Sequence, residues 1–147
     1  MRKLLLTGFV AAFAFTGWAP AQAQTADAAI AARKAGMDLV AAAAGTAKRA
    51  VDAKDDVKAL KGLAEAIAAW GKAAPGLFVP GSDKGDTKAL AVAFSDHDGL
   101  VKAGMALNAA GLKLSAAAEA NDKAAFATAF GEVGAACGGC HRTYRGR

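Results

Sequence analysis

The residues of this chain best suited to chemistry lie near its C-terminus, in the run Cys137-Gly138-Gly139-Cys140-His141, which contains the chain's only 2 cysteines. Two thiols separated by two residues, with a histidine directly after the second, form the attachment pattern of a c-type haem. The thiols add across the vinyl groups of the porphyrin, and the imidazole becomes the proximal iron ligand. The motif therefore predicts one covalent haem c, attached through Cys137 and Cys140, with His141 on the iron.

Three other interpretations of the cysteine pair are weaker. A redox-active dithiol of the thioredoxin kind requires a βαβ context, and the sequence shows no convincing strand pattern. A zinc site needs four protein ligands, or three and a water, and His97 is the only further histidine. A disulfide across two intervening residues would close a very short loop and constrain little. Haem attachment is therefore favoured.

The N-terminal segment has the pattern of an export signal. Arg2 and Lys3 precede an apolar run over residues 4–18, and an Ala-Gln-Ala cleavage site follows at 21–23. The pattern predicts a signal peptide over 1–23 and a mature periplasmic protein over 24–147. The apolar run is shorter than a membrane span of about 20 residues, and no second run follows, so we expect no span after cleavage. The sequence shows no nucleic-acid footprint, because part of its formal charge of +5 belongs to the signal.

The elements that must position the haem motif are predicted to be helices. Alanine is the best helix former, and the mature sequence is rich in it and poor in β-branched residues. Four segments are expected: about 27–49, from Asp55 or Asp56 to about 71, from between 88 and 95 to about 119, and from Asn121 or Asp122 onward. A turn-rich loop over 73–86 separates the second and third segments.

The last helix carries the haem motif on its inward face. Seven residues step by three or four positions along one side of it: Phe126, Phe130, Val133, Cys137, Cys140, His141 and Tyr144. Helical periodicity thus runs unbroken into the motif and places Cys137 and His141 one turn apart. In mitochondrial-type cytochromes c the motif comes near the start of the chain, so that fold is disfavoured.

Four helices with short and medium connections predict an all-α, antiparallel four-helix bundle with one covalent haem c in its core. Gly104 and Gly111, inside the third helix, are compatible with close approach of a neighbouring helix or a flat ligand, or with mere tolerance. Trp70 is expected to anchor the end of the second helix in the core. Met105 is expected to pack in the bundle, and His97 to be solvated near a helix start.

The chain resembles the cytochrome c′ family over almost all of its mature length. The run from Phe130 to Cys137, continued by Cys140-His141-Arg142-Thr143-Tyr144-Arg145, is similar to that family's ending. The loop over 77–82, with Gly85-Asp86-Thr87, is similar to its middle connection. Where many members carry a tryptophan after this loop, this chain has Phe94 or nearby residues.

The resemblance implies roles for two residues of the first helix. Arg33 is expected either to pair with a haem propionate, as the resemblance implies, or to be an ordinary exposed arginine of the helix. Met37 matches the position that faces the distal side of the iron. In the low-spin branch of the family a methionine there is the sixth iron ligand. In the high-spin branch the distal residue blocks the iron without bonding to it. Because a thioether is a competent iron ligand, the sequence favours low-spin ligation by His141 and Met37.

Low-spin ligation would make the protein a carrier of single electrons between redox partner proteins. The alternative is a five-coordinate haem protein that binds nitric oxide or carbon monoxide. An enzyme is not expected, because no distal histidine and arginine are placed for acid–base work. The resemblance also allows a homodimer through the first two helices.

Overall fold

The structure, a computed structural model, describes residues 25–147, so the predicted signal peptide lies outside it. These residues form five α-helices: α1 (Ala26–Ala53), α2 (Lys61–Ala73), α3 (Val92–Ser95), α4 (His97–Glu119) and α5 (Lys123–Tyr144). Short 3₁₀ turns flank α2 at Lys58–Leu60 and Ala74–Leu77. Between residues 25 and 147 the only β pairing is an isolated bridge from Ala89 to Arg145. The all-α prediction is confirmed, and the short α3 is an addition to it.

Side-chain caps set several helix ends. Thr25 accepts a hydrogen bond from the amide of Ala28 at the start of α1. Asp122 accepts one from Ala125 at 2.9 Å and begins α5, which confirms one of the two expected caps. The other candidate, Asn121, instead accepts a bond from Val57 at 3.0 Å. It therefore joins the connection before α2 to the connection before α5.

The contacts between α2 and α4 show that these two helices are antiparallel. Lys61 at the start of α2 pairs with Glu119 at the end of α4, at 2.8 Å. Further along α2, Ala68 meets Gly111: a Cβ on Gly111 would lie 2.8 Å from Cα of Ala68. Of the alternatives left open for the interior glycines, the structure shows the close approach of a neighbouring helix.

The core is divided between two clusters of buried side chains. The larger joins all four long helices and contains Val57, Ile67, Leu114, Phe126 and Val133. The smaller contains Ala93, Leu100 and Tyr144, with Cys140 partly buried against it. Both cysteines of the motif thus lie at the edges of packed core, Cys137 against the larger cluster and Cys140 against the smaller.

Candidate haem site

A cleft of about 790 Å³ opens among the four long helices. Its lining is mainly apolar and includes Ile30, Met37 and Val40 from α1, Trp70 from α2, and Leu107 from α4. Ligand sites in proteins typically measure about 300–1,000 Å³ and are predominantly hydrophobic. The cleft therefore has the size and polarity of a site for a large apolar cofactor.

One wall of the cleft is the haem motif on α5. Cys137, Cys140 and His141 all line it, since α5 continues without a break to Tyr144. Burial raises the pKa of both thiols, so they are protonated at neutral pH. Desolvation, with a smaller contribution from Arg145, lowers the pKa of His141. The imidazole is therefore neutral at pH 7, which is the form that binds iron.

Helix α1 brings Met37 to the same cleft, where it is partly buried. Beside it, the six-membered ring of the Trp70 indole packs against Gly36: a Cβ at position 36 would be 2.1 Å from Cη2 of Trp70. Trp70 Nε1 exposes less than 1 Å² and has no hydrogen-bond partner among residues 25–147. Trp70 is partly buried near the end of α2 and forms part of the cleft wall, where the sequence predicted an anchor of that helix end in the core.

Arg33 is 5% exposed, and its guanidinium is bound to the loop after α2. It donates hydrogen bonds to the carbonyl of Leu77 and to both the hydroxyl and the carbonyl of Ser82, each at 2.7 Å, and to Oγ1 of Thr87 at 3.2 Å. These bonds use four of the five N–H groups of an arginine. The structure therefore shows Arg33 joining α1 to the loop, and its pairing with a propionate stays a prediction.

Two aromatic rings complete the surroundings of Arg33. Its guanidinium carbon lies 4.7 Å from the ring centroid of Phe78 and 5.7 Å from that of Phe94, within the range of a cation–π interaction. The two rings are 5.6 Å apart. Phe94, which occupies the region where the sequence departs from the pattern it otherwise resembles, therefore packs in the loop cluster around Arg33.

Other candidates from the sequence lie away from the cleft. His97 is the first residue of α4 and is exposed, as expected for a solvated histidine. Met105 is 45% exposed on α4, so the expectation that it packs in the bundle is wrong. Its neighbours on the helix explain this, because Gly104 and Asn108 face α2 and turn position 105 outward.

The sequence missed the partners that hold the site in place. Ser82 and Thr87 bind Arg33, and Asp96 accepts a hydrogen bond from Tyr144 at 2.8 Å. Ser82 and Thr87 belong to the loop that resembles the family's middle connection, and this resemblance was the only sequence feature that pointed to them. Asp96 offered only its suitability as a helix cap.

The residues of the cleft fit a haem c. Two thiols and one imidazole on adjacent turns of a single helix are the donors that this cofactor takes from a protein. The apolar surroundings suit a porphyrin.

Within the described part of the chain, no group of three or more His, Cys, Asp and Glu side chains is placed to hold a metal ion, and no helix is long and apolar enough to span a membrane.

Comparison with known proteins agrees with this assignment. The profile of the family described as Cytochrome C' matches residues 28–145. A cytochrome c′ from Cereibacter sphaeroides is 35% identical over 153 aligned positions, covering 99% of this chain and 98% of the relative. A cytochrome c-556 from Agrobacterium tumefaciens is 36% identical over 90 positions, covering 61% of this chain and 72% of the relative.

A solved structure is also similar. The carbon-monoxide-bound variant of cytochrome c′ from Alcaligenes xylosoxidans superposes with a TM-score of 0.75 at 29% identity, covering 84% of this chain and 98% of that one. Together with the cleft and the motif, this likeness defines a c-type cytochrome built as a four-helix bundle.

The chain belongs to the cytochrome c′ family. Proteins of this family carry one covalently attached haem c, so the predicted cofactor is confirmed. They are haem electron carriers or gas-binding proteins rather than typical enzymes. The comparisons do not support the predicted low-spin, methionine-ligated branch.

Proposed function

We propose that the protein is an exported monohaem cytochrome c′ that binds a diatomic gas, nitric oxide or carbon monoxide, at a five-coordinate iron. The observation that carries this proposal is the apolar cleft with His141 on its α5 wall, in a fold shared with a carbon-monoxide-bound relative. The proposal takes the alternative that the sequence analysis left open, because family membership favours it over ligation by Met37.

The residues of the motif hold the cofactor in this proposal. Cys137 and Cys140 would form the two thioethers, and the neutral imidazole of His141 would bind the iron. The haem supplies the iron that binds the gas. The chain supplies the surroundings: Trp70 and Ile30 would exclude water from the cleft, and Met37 would limit the space left for a gas in it.

A second candidate function is electron transfer with Met37 as sixth ligand. It is favoured by one observation, that Met37 on α1 and His141 on α5 line the same cleft. In this case the protein would pass single electrons to redox partner proteins. The two candidates differ in whether the sulfur of Met37 bonds to the iron.

Visible spectra of the haem-loaded protein, with and without carbon monoxide, separate the two candidates. We expect a broad high-spin ferrous spectrum that changes on addition of carbon monoxide. In Met37→Leu, which keeps the volume and removes the sulfur, we expect the same spin state. Met105→Leu is the matched control, because Met105 is exposed on α4.

A sharp low-spin ferrous spectrum that does not change on addition of carbon monoxide would contradict the proposal. If that spectrum became high-spin in Met37→Leu but not in Met105→Leu, Met37 would be the ligand and the protein an electron carrier. If mass spectrometry of the exported protein showed no added haem, both candidates would fail.

Export and assembly complete the proposal. The signal peptide over 1–23 would direct the chain to the periplasm, which N-terminal sequencing of the exported protein tests. A homodimer through α1 and α2 is consistent with the exposure of Leu39, whose relative accessibility is 72% on α1. Size measurement of the haem-loaded protein tests the dimer.

A further inference from the structure

Tyr144, the last residue of α5, is tethered to the start of α4. Its hydroxyl donates a hydrogen bond to Oδ2 of Asp96 at 2.8 Å, while its side chain is 7% exposed. The other carboxylate oxygen of Asp96 accepts the amide of Gly99 at 3.1 Å and caps α4. One carboxylate therefore joins the beginning of α4 to the end of α5.

Gly99 has no side chain, and this leaves the space in which the hydroxyl of Tyr144 and the carboxylate of Asp96 meet. A Cβ on Gly99 would lie 2.4 Å from the hydroxyl oxygen of Tyr144 and 2.2 Å from Oδ2 of Asp96. A Cβ atom does not come within 3.0 Å of such atoms in real structures, so any other residue at position 99 would displace the hydroxyl or the carboxylate. The tether and Gly99 form one arrangement.

Backbone pairing holds the same end of α5. The amide of Leu90 donates to the carbonyl of Tyr144 at 2.9 Å, and the amide of Gly146 donates to the carbonyl of Lys88 at 2.8 Å. The segment after α5 thus runs beside residues 88–90. With the tether, these bonds fix the last turn of α5 from two sides.

That last turn has weak helical stability of its own. Gly138 and Gly139 lie within α5 immediately before Cys140 and His141, and each costs about 1 kcal/mol relative to alanine in a helix interior. Since a helix end also lacks part of its hydrogen bonding, the turn that carries His141 needs tertiary contacts to stay helical. Tyr144, three residues after His141, supplies one of them.

We propose that the Tyr144–Asp96 tether is a positioning device for His141, which keeps the imidazole in a single orientation toward the iron. Tyr144 and Asp96 act through the last turn of α5, and the ring of Tyr144, which Tyr144→Phe retains, also lines the cleft. This inference rests on the proposed ligation of the iron by His141. It adds two residues that the haem motif does not include.

The test compares haem-loaded Tyr144→Phe with the parent protein. Phenylalanine keeps the ring and removes only the hydroxyl. We expect amide hydrogen exchange of Arg145 and Gly146 to become faster by about tenfold, the change produced by losing one hydrogen bond to a charged acceptor. We also expect the electron paramagnetic resonance signal of the ferric haem to broaden into more than one population, because the imidazole would adopt more than one orientation.

Thr143→Ala is the matched control. Thr143 is exposed in the same turn, and its hydroxyl bonds only to the carbonyl of Gly139 within α5, at 3.4 Å. We expect Thr143→Ala to leave the resonance signal unchanged. In Asp96→Asn, which retains a cap for α4 and weakens the bond to Tyr144, we expect a smaller change in the direction of Tyr144→Phe.

Two results would overturn the inference. An unchanged resonance signal in Tyr144→Phe, with faster exchange, would reduce the tether to a stabilising contact without influence on His141. Unchanged amide hydrogen exchange of Arg145 and Gly146 in Tyr144→Phe would show that the hydrogen bond to Asp96 does not hold the end of α5. Because ferric haem gives a resonance signal in either spin state, a six-coordinate parent protein would contradict the proposed function while the comparison of variants still decided the role of Tyr144.

Discussion

Gly36 and Trp70 fit together so closely that a Cβ at position 36 would lie 2.1 Å from Cη2 of the indole. Glycine in the middle of α1 costs about 1 kcal/mol of helix stability relative to alanine. That cost is offset by the packing of a large aromatic ring, which closes the wall of the haem cleft beside Met37. The glycine that weakens α1 at position 36 therefore also leaves room for the Trp70 ring in the wall of the cleft.

Replacement of Gly36 by alanine is expected to displace the indole of Trp70 and to destabilise the protein by about 1–3 kcal/mol, as overpacking does. The displaced ring should also alter the haem absorption spectrum. Chemical denaturation and visible spectroscopy measure the two effects. Gly45→Ala is the control on the same helix, since the nearest side-chain atom to a Cβ there is Nη1 of Arg49 at 3.8 Å; equal stability of the two variants would contradict the prediction.

The close contact of Gly111 with α2 predicts that a larger residue at position 111 destabilises the protein. A Cβ on Gly111 would lie 2.7 Å from the backbone nitrogen of Ala68, and backbone cannot move aside without separating the helices. We expect Gly111→Ala to cost about 1–3 kcal/mol of unfolding free energy. Gly131→Ala on α5, where no atom lies within 4 Å of the added Cβ, should instead stabilise by about 1 kcal/mol. The same sign for both variants in denaturant unfolding would refute the argument.

Arg33 is expected to contribute to stability through the loop. Lysine at position 33 cannot span the carbonyls of Leu77 and Ser82, so we expect Arg33→Lys to lower the unfolding free energy by about 2–4 kcal/mol. Amide hydrogen exchange in the loop after α2 should also become faster in this variant. Arg49→Lys is the control, because Arg49 is exposed on the same helix and its guanidinium donates to Thr46 one turn away.

Redox titration of the same variants tests the predicted propionate contact. If Arg33 also pairs with a propionate, the pH dependence of the midpoint potential should shift in Arg33→Lys and not in Arg49→Lys. A loss of stability without that shift would assign Arg33 to the loop alone.

Tyr144 is expected to make stability depend on alkaline pH. The hydrogen bond to Asp96 is the main cause that raises the pKa of Tyr144 from 10.0 to about 12, since only the neutral phenol can donate it. The unfolded chain therefore loses the phenolic proton at lower pH than the folded one. The stabilisation is complete below pH 10.0 and is lost as pH rises through about 12.

Unfolding of the haem-loaded protein between pH 9 and 12 measures this dependence. Tyr144 is the chain's 1 tyrosine, so no other phenol contributes. Tyr144→Phe should lose the part of the pH dependence that the phenol causes, and an identical profile in parent and variant would show that the hydrogen bond does not control it.

Local features of the chain could be predicted from sequence because they depend on near neighbours. The spacing of Cys137, Cys140 and His141 is the attachment pattern of a c-type haem, and the periodicity of α5 is set by a helical turn. Asp122 was foreseen as a cap because it bonds an amide only three residues away. The open alternatives at Gly104 and Gly111 show the limit, since the sequence allowed close approach of a helix, close approach of a flat ligand, or mere tolerance of glycine, and did not choose among them.

What the sequence determined by itself is the cofactor and the helix that carries it, because both follow from covalent spacing and from intervals of three and four residues. Tertiary structure alone decided the partners of Arg33 and Tyr144. Ser82 is 49 residues from Arg33, and Asp96 is 48 residues from Tyr144. At such separations a hydrogen bond depends on how whole helices pack, and no local pattern of residue types encodes that packing.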